Sequence, residues 1–209
     1  MAKRKRRKWL KIPRNKKERR RYFIAVLALL TLIVAAGVMT PQFIQDRKEA
    51  RLEDERSKQL KAWAPYAQKI QQQYGIFASI SLGQAALESD FGKSELATQA
   101  HNLFGVKASA GQPSVTMATK EYENGSWVTV NAAFVSYSSW QASMLAHAQL
   151  LKSGTSWNPT QYAHVLAAKN YQDAAKGLVT DGYATDPDYA EKLIQVIDKY
   201  HLHRFDLVS

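Results

Sequence analysis

The run IFASISLGQAALESDFG, residues 76–92, decides how the rest of the chain folds. Apolar residues occupy most faces of a helix drawn over it, and the polar ones (Ser79, Ser81, Gln84) are scattered among them. A helix apolar nearly all round belongs in the middle of a core, and Gly92 offers its stop. One residue does not fit. Glu88 puts a carboxyl at the end of that buried helix, where the charged form is penalised by desolvation. The same penalty favours the protonated form, which is the form a general acid needs. A purely local contact and an ion pair with Lys93 are the bland readings, and the residues alone leave both open.

Working outward, the soluble domain is expected to start near Ala62, with Pro65 in a first helical turn and Gly75 closing that helix. Residues 115–137 change period: VTMATKEYE and SWVTVNAAFVSY are rich in Val, Thr, Tyr and Trp, and Asn124-Gly125 between them is a two-residue hairpin signal. Pairing across that turn sets Glu121 opposite Val128 and Glu123 opposite Ser126, and alternation puts both glutamates on one face. Helices are read at 139–152, stopping at Gly154, at 160–169, at 171–179, and from Asp186-Pro187 to about residue 200. The fold class is therefore α+β and predominantly α: one helical domain over residues 62–204 with an inserted β-hairpin, followed by a short tail at 205–209.

Charge and hydropathy describe the other end. The net charge of +11 comes from residues 1–21, which hold 13 Lys/Arg against one acid, Glu18; the remaining 16 Lys/Arg face 17 Asp/Glu. The body therefore has no general pull on phosphates, and a nucleic-acid partner is not expected. Residues 22–40, YFIAVLALLTLIVAAGVMT, carry no charge and approach the ~20 apolar residues of a spanning helix. Basic residues ahead of such a segment stay cytoplasmic and attract anionic lipids. The expected order is a basic cytoplasmic tail (1–21), a signal-anchor (22–40) and a charged stalk (41–61), with the domain outside the membrane. A cleaved signal peptide, with Val34-Ala35-Ala36 as its site, also exports the domain; a buried core helix is the third reading. The stalk reads as a solvated helix or as a disordered linker.

The sequence has no Cys, so disulfides, thiolate metal sites and cysteine nucleophiles are excluded. It has no Gly-rich phosphate loop, no G-x-S-x-G and no HExxH, and its five histidines are scattered. Neither a metal nor a cofactor is expected. Carboxylate chemistry remains. A glycosidase needs a second group beside its acid, and the hairpin carries Glu121 and Glu123, which are otherwise ordinary exposed strand charges.

The runs AALESDFGKSELA, HNLFGVKA, TKEYENGSWVTVNAAFVSYSSW and GYATDPDYAEKL together resemble the glucosaminidase family of bacterial autolysins, which includes the muralytic domain of the flagellar rod protein. The resemblance covers residues 62–200. It implies a lysozyme-like helical domain with a β-lobe that cuts the β-1,4 bond between N-acetylglucosamine and N-acetylmuramic acid in peptidoglycan. It makes Glu88 the general acid and Glu121 the second carboxylate. It lines the cleft with Tyr183 and Tyr189 and shapes the wall beside the acid with the stretch from Asn102 to Gly105. Asn102, Phe104, Glu123, Trp127, Tyr183 and Tyr189 are the expected substrate-binding residues, with Phe91 as a further ring for a sugar face. Two positions depart from the family pattern. Ser89-Asp90-Phe91-Gly92 stands where many relatives have Ser-Gly-Trp-Gly, so that Asp90 either raises the proton affinity of Glu88 or points to solvent; and Val135 stands where an arginine is common. A muramidase or lytic transglycosylase acting on the same polymer, and a non-catalytic wall-binding module, are the competing functions. The protein is expected to be a monomer.

Overall fold

The computed structural model describes residues 15–123 and 126–207; the side chains of residues 35–39, 120–123 and 127 fall outside that description. Two compact units divide after Glu53. The first carries the beginning of a long helix, α1 (Lys16–Tyr74). Along it Phe23, Ile24, Leu27, Leu30 and Ile33 are all more than half exposed. Among the described residues no helix is long and apolar enough to cross a membrane. The part of the apolar run whose side chains are described ahead of residue 35, residues 22–34, is shorter than the ~20 residues a span requires.

The second unit, from Asp54, is built around α2 (Ala78–Ser89). Ala78, Ile80, Leu82, Ala85 and Ala86 are completely buried in it, as an all-round apolar helix requires. Gly83 lets α7 (Tyr189–Lys199) press against α2, since a Cβ there would stand 2.6 Å from Leu193 Cδ1. The end of α1 adds Leu60, Trp63, Ala67 and Ile70 to the same core, and α6 (Tyr171–Thr180) adds Ala174, Ala175 and Leu178. Each fully buried Leu or Ile contributes on the order of 1.5–3 kcal/mol relative to exposure. Helix starts follow side-chain caps: Ser94 for α3 (Glu95–Ala100), Ser139 for α4 (Trp140–Ser153) and Asn170 for α6 each accept the backbone N–H three residues on.

The hairpin has the expected register. β1 (Ser114–Glu123) pairs antiparallel with β2 (Ser126–Val135), Glu121 opposite Val128 and Glu123 opposite Ser126; the Asn124-Gly125 turn itself lies outside the described residues. Three readings change. Pro65 does not open a helix but lies inside α1, which runs on to Tyr74 before Gly75 at φ +75° ends it. The helix expected at 160–169 is the shorter α5 (Ala163–Ala167). The last helix starts two residues late, at Tyr189 rather than Pro187, because Asp186 accepts the Asp188 N–H at 2.9 Å and closes a turn ahead of it. Beyond a 3₁₀ turn (Leu202–Phe205), Asp206 and Leu207, read as part of a tail, are tied down. Asp206 accepts both the N–H and the hydroxyl of Ser79 at 2.7 Å, and Gln71 bonds Ala78 and Leu207. The first turn of α2 thus obtains from Asp206 the acceptor that its own cap, Phe77, does not supply.

Candidate active site

Glu88 sits in the last turn of α2 and opens into a cleft of about 570 Å³ lined by Phe104, His147, Tyr162, Tyr183, Asp186 and Tyr189 among others. By surface area the residue is exposed, yet protein surrounds most of its carboxyl group. A carboxyl at the foot of a concave cleft satisfies both descriptions, and the enclosure is what governs its hydration. Desolvation pushes its pKa up, against a smaller downward pull from the Tyr189 hydroxyl. The expectation of a buried carboxyl is therefore corrected: the helix is buried, and the acid group faces the cleft.

The partner of Glu88 is Tyr189, whose hydroxyl donates to Oε1 at 2.8 Å. A phenol has one proton, so the same oxygen accepts from Gln84 Nε2 at 3.1 Å. Gln84 and Glu88 lie one turn apart on α2, which places both within reach of one residue at the start of α7. Burial and the nearby carboxylate push the Tyr189 pKa up, so it stays a donor. The ion pair of Glu88 with Lys93 does not form; Lys93 reaches Glu55 at 2.7 Å. Asp90 does not crowd Glu88 either: its side chain is exposed and turns to Arg56 at 3.5 Å.

Above the acid the cleft wall is a run of rings. Phe104 stacks on His147 with centroids 3.9 Å apart and planes at 6°, His147 meets Tyr183 edge-on at 5.5 Å, and Tyr183 lies 5.9 Å from Tyr189. His147 Nε2 is 3.1 Å from the Tyr183 hydroxyl. Burial drives the His147 pKa down to about 3, so the imidazole is neutral. Such rings offer flat apolar faces to sugar C–H groups while hydroxyls address the polar substituents.

The expected binding residues divide. Phe104, Tyr183 and Tyr189 line the cleft with Glu88. Asn102 does not reach it. It is buried, and its amide donates to the carbonyls of Val106 and Val135 at 2.9 and 3.0 Å while accepting from the N–H groups of Phe104 and Val106. It pins the loop that presents Phe104 to β2. Phe91 also leaves the cleft, packing against Tyr200 and beneath Arg56. The side chains of Glu121, Glu123 and Trp127 lie outside the described residues. Val135, the second departure from the family pattern, is buried. His147, Tyr162 and the relay residue Gln84 are the site residues that sequence reasoning missed. Their sequence signal is weak: polar atoms on otherwise apolar helical stretches are more often satisfied core groups. Among the described residues no three His, Cys, Asp or Glu side chains gather as a metal site would need.

The Tyr189 bond makes a prediction. It stabilises the charged form of Glu88, so Tyr189→Phe should raise the Glu88 pKa further. The protonated acid then survives to higher pH, and the alkaline limb of the kcat/KM profile should move to higher pH. An unchanged or lowered limb in a pH–rate series would contradict the bond's role.

Among the described residues, a partly desolvated carboxyl at the foot of a ring-lined cleft is an arrangement that suits a glycoside hydrolase. The chain belongs to the glucosaminidase family: the profile described as mannosyl-glycoprotein endo-beta-N-acetylglucosaminidase matches residues 64–202. It is 42% identical to the exo-glucosaminidase LytG of Bacillus subtilis, covering 94% of this chain and 71% of that protein. A probable N-acetylmuramidase of Lactococcus lactis is 38% identical over 70% of this chain, which spans 34% of that protein. Among solved structures, the catalytic domain of the autolysin Auto of Listeria monocytogenes superposes with a TM-score of 0.70 at 35% identity, covering 78% of this chain and 96% of that one.

Proposed function

We propose that the protein hydrolyses the β-1,4 bond between N-acetylglucosamine and N-acetylmuramic acid in peptidoglycan, with Glu88 protonating the glycosidic oxygen as the bond breaks. The observation that carries this is the Glu88 carboxyl, held at the cleft floor by Tyr189 with its proton affinity raised. The rings of Phe104, Tyr183 and Tyr189 supply sugar contacts, with Trp127 and Glu123 assigned to the same task from the hairpin. Water replaces the leaving glycan at the anomeric carbon by one of two routes. Glu121 takes a proton from the attacking water, or the substrate's own acetamido oxygen attacks first and water opens the product. In both, one water is consumed per bond. Digestion in heavy-oxygen water tests this: each new reducing end should gain one heavy oxygen, whereas 1,6-anhydro ends would overturn hydrolysis in favour of a transglycosylase. A muramidase is the second reading, supported by the Lactococcus relative; it differs in which sugar carries the new end.

Glu121→Gln should lower turnover on the order of 10²-fold with glycan binding largely intact. Wild-type turnover by that variant removes Glu121 from the mechanism and leaves the acetamido route.

The same reading places the enzyme on the outer side of the membrane, held by residues 22–40. Their support is the uncharged stretch following thirteen basic residues. The protein should sediment with membranes after a high-salt wash, and deletion of 22–40 should release it; a salt-extractable protein would leave only the basic tail as a lipid contact. A monomer acting on glycan strands, with no nucleic-acid partner, completes the proposal.

A further inference from the structure

The turn that follows Glu88 has an uncommon backbone. α2 stops at Ser89, and the next three residues are all left-handed: Asp90 at φ +46°, Phe91 at +56° and Gly92 at +80°. Left-handed backbone is unfavourable for any residue with a Cβ, and a bulky ring there is an outlier that its surroundings must impose. Some of the support is internal. The Phe91 N–H reaches the Ala86 carbonyl at 2.9 Å, and the Gly92 N–H reaches Ser89 Oγ at 2.7 Å. The rest comes from α1. The Arg56 guanidinium lies over the Phe91 ring, 4.6 Å from its centroid, and its Nη2 is 3.5 Å from Asp90 Oδ1. Beside it, Glu55 pairs with Lys93 at 2.7 Å, and Tyr200 also meets Phe91 edge-on, at 5.2 Å. Arg56 precedes the family-matched range, residues 64–202, and is not among the cleft-lining residues.

We infer that Arg56 is a positioning residue for Glu88: stacked on Phe91 and paired with Asp90, it holds the left-handed turn that fixes where the last turn of α2 aims its carboxyl. The inference rests on the reading of Glu88 as the general acid. The ion pair with an exposed Asp90 is weak by itself. The planar cation on the ring is the stronger contact, and lysine cannot reproduce its stacking in full. The Glu88–Tyr189 bond of 2.8 Å lies immediately before this turn and tolerates little displacement of the helix end.

The test uses the full chain and soluble, uncross-linked peptidoglycan strands. Arg56→Met should lower kcat about tenfold with KM within twofold of wild type, and Arg56→Lys should fall between the two. Adding Asp90→Gly to Arg56→Met, which removes the conformational penalty at the first left-handed position, should restore most of the lost kcat. Wild-type kcat in Arg56→Met, a change confined to KM or to thermal stability, or a kcat loss that Asp90→Gly leaves untouched would each overturn the inference. Glu88→Gln is assayed alongside. Activity in that variant sinks the general-acid reading itself, whereas an inactive Glu88→Gln beside a fully active Arg56→Met sinks the positioning role alone.

Discussion

Glu88→Gln is expected to reduce turnover by about 10³-fold or more while leaving the folded protein at least as stable as wild type. The loss follows from the chemistry: a positioned general acid is worth roughly 10²–10⁴-fold, and an amide of the same size has no proton to give. The gain follows from linkage. Desolvation raises the Glu88 pKa in the folded chain. A carboxyl whose folded pKa lies above its unfolded value favours the fold below the unfolded pKa and loses that contribution as pH rises through the folded pKa. As pH rises through the folded pKa the ionised group becomes a cost that glutamine does not carry, and the glutamine side-chain oxygen still accepts from Tyr189. A melting temperature equal to or above wild type, measured at neutral pH beside the activity loss, separates a removed acid from a damaged fold. A large drop in melting temperature would mean that Glu88 is a scaffold residue.

Gly154→Ala is expected to have the largest structural effect. Gly154 caps α4 at φ +68° and ψ −157°, a region that only glycine occupies readily. A Cβ there would stand 2.2 Å from the Asn158 carbonyl oxygen and 2.6 Å from the Pro159 carbonyl carbon. Both are backbone atoms, so neither can swing away as a side-chain tip would. The following loop is also closed on itself, with Thr155 and Asn158 exchanging backbone hydrogen bonds at 3.0 and 3.2 Å. The substitution should cost about 3 kcal/mol or more. For a unit of this size that lowers the melting temperature by about 6–12 °C. A shift of less than about 2 °C would show that the loop has room to give. Because α4 also carries His147 and Leu150 into the cleft, activity should fall faster than stability as the loop loosens.

The core was legible because its signals are local. The all-round apolar pattern of residues 76–92 needs no knowledge of neighbours to be placed inside, and Asn124-Gly125 between two alternating stretches fixes the hairpin register by counting. Ser139 and Gly154 mark the ends of α4 for the same reason. What the sequence misread depends on distant partners. Pro65 reads as a helix start, yet the tertiary packing of Trp63, Ala64 and Ala67 carries α1 through it. Asp186 reads as a cap, but its carboxylate is taken up by Lys192 and its own turn. At the site, Glu88 stands out as an acid in an apolar run, whereas the partner that orients it, Tyr189, lies 101 residues away. Asn102 resembles a cleft residue by its position in the motif; only the hydrogen bonds of the folded chain show that its amide is wholly occupied in bracing the Phe104 loop. His147 carries no sequence mark that separates it from an ordinary core histidine.

The relay from Gln84 through Tyr189 to Glu88 also gives the family motif a physical meaning. The acid and its indirect partner occupy one face of α2, and α7 closes on that face through Gly83, so the same packing that buries the core sets the aim of the carboxyl. The cleft then raises the proton affinity of the group it presents, and the neutral His147 keeps the wall above it uncharged.

The most direct measurement is digestion of purified peptidoglycan by the wild-type protein and by Glu88→Gln, with mass spectrometry of the borohydride-reduced products. Reduced N-acetylglucosamine ends from the wild type, and none from the variant, are the expected result. Reduced N-acetylmuramic acid ends, or equal release by both proteins, would contradict the assigned bond in the first case and the assigned acid in the second.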